Sequence, residues 1–211
     1  MNKKFLAYVL ILIAVVLIFL GYVKGRGSFV YEGKNGDYKF TVEKIEGIEI
    51  YRPHMVYEGN EYVYAFRNKP QKLENLYLEE NILKHLNRPA GLEQVFITKD
   101  INLSELTNNS VSLVTAPMAS ILGKNDYSIY HVSIRVAFTQ FHAGQPIASV
   151  VDCSTVNLNS NANQTSAVIL LKLGNENRVY SDGECIVVEG KDTDGLIKAG
   201  EKFAYALIGV F

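Results

Sequence analysis

Residues Phe5 to Val23 form an uninterrupted apolar run of nineteen residues without a charge, FLAYVLILIAVVLIFLGYV. As a helix rising ~1.5 Å per residue this run reaches about 28 Å, close to the hydrocarbon thickness of a bilayer. A cleaved secretory signal has a shorter apolar region, roughly 7–15 residues, with small residues at its cleavage site. Here Leu20-Gly21-Tyr22-Val23-Lys24 provides no such site, and no cysteine follows that could carry a lipid anchor. Only Met1 to Lys4 precede the run, which suits a pilin-type leader poorly. The sequence therefore predicts a cytoplasmic tail at 1–4, an uncleaved transmembrane helix at 5–23, a KGRGS linker at 24–28 and one soluble domain at 29–211.

The charges beside the span leave its direction nearly balanced, with Lys3 and Lys4 before it and Lys24 and Arg26 after it. Two features favour a domain outside the cytoplasm. One is a cysteine pair; the other is a set of three N-x-S/T sequons, at Asn102, Asn108 and Asn163. The whole chain carries a formal charge of −1, and setting aside Lys3 and Lys4 leaves the remainder near −3. No basic stripe interrupts it, which argues against nucleic acid as a partner.

Along the soluble part, residues 29–31, 38–44, 48–51 and 62–66 alternate aromatic or β-branched residues with polar ones. Turns fall at 33–36 and 46–47. This pattern predicts an antiparallel meander with one solvated face. Pro70 then opens a Leu- and Glu-rich segment in which Leu78, Ile82 and Leu86 recur every four residues, read as a helix stopped before Pro89. Residues 95–98 read as a strand. Thr115-Ala116-Pro117 reads as a cap with proline in the first turn of a short helix ending at Gly123. Residues 128–138 read as a long strand, 167–173 as another, and 178–180 with 185–189 as a hairpin. Asp192 or Thr193 caps a final helix, in which Gly200 lies on the apolar stripe as if a sheet approached closely. The expected class is α/β, bordering on α+β: a layered domain with a mixed sheet behind an antiparallel N-terminal meander.

Cys153 and Cys185, the only cysteines, admit three readings: a disulfide, two buried thiols, or a catalytic or metal-binding pair. His54, His85, His131 and His142 match no metal-ligand spacing. His131 falls among apolar strand neighbours and His142 in a loop; with Asp152 and Cys153 they form the polar group to inspect for a thiol mechanism. No dinucleotide, P-loop or nucleophile-elbow motif is present, so neither a cofactor nor a catalytic set is expected. Asp192 and Asp194 suit a helix start, and Glu79-Glu80 with Glu43, Glu46 and Glu49 read as solvated faces.

Four stretches taken in order carry a family likeness. They are Phe66-Arg67-Asn68-Lys69-Pro70 with Leu73-Glu74; Val151-Asp152-Cys153; VILLKLG at 168–174 with Asn175-Glu176-Asn177; and Cys185 to Gly190 followed by the helix ending Tyr205-Ala206-Leu207-Ile208-Gly209-Val210. Together they resemble an uncharacterised archaeal family of single-span membrane proteins. The resemblance implies an anchored architecture and a paired role for Cys153 and Cys185, and brings no activity. The leading expectation is a non-enzymatic cell-envelope module that contacts a protein partner. A hydrolase or thiol enzyme and a small-ligand-binding module are the competing readings.

Overall fold

The computed structural model describes residues 27–100, 103, 108–140, 150–154 and 165–211. The expected anchor, His142 and the sequons at Asn102 and Asn163 lie outside them. Among the described residues no helix is long and apolar enough to cross a membrane.

Strands β1 (Gly27–Gly33), β2 (Gly36–Ile45), β3 (Ile48–Tyr57) and β4 (Asn60–Val63) form an antiparallel meander in chain order. β1 thus begins inside the segment read as linker. Two-residue turns close the second and third hairpins. At Glu46-Gly47 φ is 50° and 86°, and at Glu58-Gly59 it is 49° and 81°. Positive φ at both central residues is the geometry that matches the strands' right-handed twist. Tyr38, Phe40 and Tyr51 point inward and are buried, while Lys39, Thr41 and Arg52 alternate outward. The meander with one solvated face is as the sequence predicts.

A second, mixed sheet contains β5 (Tyr77–Leu78), β6 (Gln94–Lys99), β7 (Ser133–Phe138), β8 (Ser166–Leu173), β9 (Arg178–Asp182) and β10 (Cys185–Gly190). Their order is β5-β9-β10-β8-β6-β7. β10, β8, β6 and β7 run parallel, and β9 runs antiparallel to β10. β8 and β10 are nearly continuous apolar runs because both of their faces are covered. One face packs on helices α1 (Asn108–Leu122) and α2 (Thr193–Leu207). The other holds Val168, Leu170, Cys185 and Val187 beneath Val151 and Cys153.

Helix α2 lies between the two sheets. Asp192 caps it by accepting from the Gly195 amide at 2.7 Å. One side packs on β10, and on the other the Tyr205 ring stacks on Phe66 at 3.8 Å and meets Phe40 at 6.0 Å. Gly209, at φ 80°, ends the helix. The chain then binds the β1–β2 turn through Lys34 N to Val210 O and Asn35 N to Gly209 O, both 3.1 Å.

Five expectations are corrected. Residues 70–86 form no α-helix. Short 3-10 turns at Pro70–Lys72 and Ile82–Leu86 flank β5, which pairs with β9. Asn81 at φ 58° breaks the helical path, and Glu79, read as solvated, binds the Ser181 amide and hydroxyl. The helix placed at Thr115 begins at Asn108, with Pro117 in its interior. Its apolar residues Val111, Val114, Met118 and Ile121 are spaced across the proline. The strand placed at 128–138 is confined to β7, because His131 turns at φ 52°. Gly200 is approached by α1 and not by a sheet: a Cβ there would lie 2.7 Å from Val114 Cγ1.

Candidate functional site

Cys153 and Cys185 are at disulfide distance, Cα–Cα 5.3 Å, and neither thiol is free. Cys185 opens β10 on the sheet face away from the helices, so the pair ties the 150–154 segment across that face. Asp152 accepts from Ser154 Oγ at 2.6 Å. His131 is exposed on the α1–β7 connection, its amide donating to Ser128 Oγ at 3.0 Å, and is no core strand residue. Among the described residues no group of three or more His, Cys, Asp or Glu could hold a metal ion.

The meander's outward face carries an arrangement that the sequence does not announce. Thr41 Oγ1 lies 3.0 Å from His54 Nε2, and His54 Nδ1 lies 2.9 Å from Glu61 Oε1. Hydroxyl, imidazole and carboxylate follow the order of a hydrolase relay. An acyl-transfer site also needs aimed amide donors for the developing oxyanion. Thr41 instead sits in the β1–β2–β3 ladder, and the Glu61 side chain is 64% exposed. The three residues act as cross-strand ties on an open sheet.

Other buried charges serve the fold. Glu189 accepts from the Asn175 amide at 3.0 Å, Tyr180 Oη at 3.0 Å and Arg178 Nη2 at 3.2 Å. Burial pushes its carboxyl up, but the Tyr180 and Arg178 hydrogen bonds outweigh this and hold it below the usual range. His85 and Arg88 flank Glu184 at 3.8 and 3.3 Å. Burial lowers the His85 pKa. His85 Nε2 and Arg88 Nε have no hydrogen-bond partner among the described residues.

A concave feature runs beneath the β2–β3 hairpin. Phe66 pairs with Tyr51 through two backbone bonds of 2.8 and 2.9 Å, and the chain then leaves the sheet at Arg67. Glu201 of α2 causes that departure by accepting from the Arg67 amide and, at 3.0 Å, from the Asn68 amide. Burial raises the Glu201 pKa against these bonds. The vacated space forms two adjoining cavities of about 600 and 350 Å³, which share Ile48 and Arg67. The larger is lined by Lys44, Arg67 and Lys72 near the start of α2, together with Glu49, which accepts from Tyr51 Oη. That bond is the main reason the Tyr51 phenol is pushed up to about 12. The smaller is apolar, lined by Ile45, Ile50, Leu113, Ala116 and Pro117. Part of this site was visible in sequence as Phe66-Arg67-Asn68-Lys69-Pro70, but nothing there shows that Glu201 receives it. No protein-family model matches the chain, and no curated protein or solved structure matches it either.

Proposed function

We propose that the chain is a single-span protein of the cell envelope, akin to the archaeal single-span family it resembles. It is anchored by Phe5 to Val23 with its domain outside the cytoplasm, and acts by binding a partner protein. The observation that carries this reading is the Cys153–Cys185 pair. A pair at disulfide distance suits an oxidising compartment, since cytosolic thiols are kept reduced. Protease added to intact cells then removes the domain, and the protein taken from native membrane without reductant has the mass of the oxidised form. Protection of the domain, or two free thiols, would overturn the reading.

One observation favours a hydrolase: the Thr41–His54–Glu61 line. With no aimed oxyanion donors the Thr41 hydroxyl stays unactivated, so a fluorophosphonate directed at catalytic hydroxyls leaves it unlabelled. Labelling at Thr41 would reverse the order of the two readings.

A further inference from the structure

We infer that the groove beneath the β2–β3 hairpin takes an extended acidic–aliphatic segment of the partner protein, added as a strand along residues 48–50. This rests on the binding function proposed above and names the site and the chemistry of the partner.

The backbone supplies the first argument. Ile45 and Ile48 close a two-residue turn, so pairs along β2–β3 alternate from there between bonded and non-bonded. Tyr51 directs its N–H and C=O away from β2, where both meet Phe66. Glu49, two residues earlier, presents its N–H and C=O on the same side. Among the described residues no backbone partner meets them there, because the β4 pairing spans only residues 54–57 of β3 and the chain leaves at Arg67. An open strand edge beside a groove is the geometry of strand addition.

The lining supplies the second argument. Lys44, Arg67 and Lys72 line the polar cavity beside Glu49 and Asp194; Arg67 is drawn to the Glu201 carboxylate, and among the described residues no ion pair engages the Lys44 or Lys72 side chain. Asp194 nearby is committed to Lys198. Ile50, Leu113 and Pro117 line the adjoining apolar cavity, and Ile48 borders both. Carboxylates at one end and aliphatic side chains at the other complement this lining, and successive side chains of a strand alternate between its two walls.

The test uses the full chain in nanodiscs of uncharged phosphatidylcholine. The probe is an acetylated, amidated fluorescent peptide of about ten residues, two Asp followed by alternating Ile and Thr, made in both chain directions. One direction binds. Replacing its Asp by Asn, or changing Lys44 and Lys72 together to Gln, weakens binding about tenfold or more. Glu49→Pro removes an N–H that the β2 ladder does not use, so it abolishes binding while the thermal midpoint stays within a few degrees. Glu49→Gln keeps the N–H and retains binding.

Four results would overturn the proposal: neither direction binding, equal binding by the Asn peptide, undiminished binding to Glu49→Pro, or displacement of the peptide by decanoate alone at equal concentration. The last would make this a site for a free amphiphile. Any of these failures leaves the protease result on intact cells untouched, so loss of the groove is distinguishable from loss of the envelope reading.

Discussion

Lys202 is 4% exposed in α2, with its ammonium 3.2 Å from the centre of the Phe211 ring. Burial lowers its pKa from the usual 10.5 to about 8, and Glu74 alone pulls the other way. Between those values the native state has released a proton that the unfolded chain still holds, so stability rises with pH across that window. Below pH 8 the cost of the buried ammonium is present in full. The rise ends when the tyrosines ionise in the unfolded chain, since burial or hydrogen bonding raises the pKa values of Tyr51, Tyr64 and Tyr205 in the native one. Urea unfolding between about pH 8 and 10 shows the rise, and Lys202→Met removes it; an unchanged slope in the variant would refute the assignment. Glu189 behaves in the opposite sense. Its pKa is held below normal, so its contribution is present above the ordinary carboxylate range and fades as pH falls through its native value. Glu189→Gln weakens the bonds from Tyr180 and Arg178 and lowers the urea midpoint at neutral pH, while Arg178 keeps Glu176 at 3.1 Å. Neither role was legible in the sequence. Glu201 meets Arg67 across 134 positions, and a carboxylate paired at that distance has the same local pattern as a solvated one.

At the scale of elements, local patterns were legible wherever they agreed with tertiary pairing. The Glu46-Gly47 turn, β6, β8, the β9–β10 hairpin and the Asp192 cap all follow from neighbours in sequence. The 70–86 segment did not, because its four-residue spacing competes with strand addition to β9, and the Glu79–Ser181 bonds favour the strand. Pro117 misplaced the start of α1 for a related reason: apolar packing on α2 carries the helix through a residue that normally opens one. The same interface explains Gly200. Alanine gains about 1 kcal/mol of helix propensity over glycine, but its Cβ would press on Val114 Cγ1 and approach Val114 O at 3.2 Å. Gly200→Ala alone therefore destabilises by about 1 kcal/mol. In a Val114→Ala background the obstructing methyl is gone and the same substitution stabilises. A double-mutant cycle by chemical denaturation reads this reversal of sign. Additive effects would mean that α1 does not set the residue at position 200.

For the whole molecule, the last element in sequence is the innermost in space. The terminal helix showed one apolar stripe, yet nearly every residue of α2 from Gly195 onward is buried, because sheets lie on both sides of it. The extra signals were Tyr205 and the small residues between the aliphatics, which let two layers approach one helix. The Cys153–Cys185 pair lies outside this three-layer core, on the far face of the second sheet. Its contribution to stability should therefore separate from the core packing. A loop of 32 residues predicts a loss of about 3–4 kcal/mol when both cysteines are changed to Ser, mainly through the freer unfolded chain. A domain with ~5–15 kcal/mol of total stability stays mostly folded after such a loss. Near-ultraviolet dichroism from the Tyr205–Phe66–Phe40 stack should then survive in the double variant, while its urea midpoint falls. If the stack's signal vanishes along with the bridge, the core depends on the far face of the sheet, and the three layers do not stand without it.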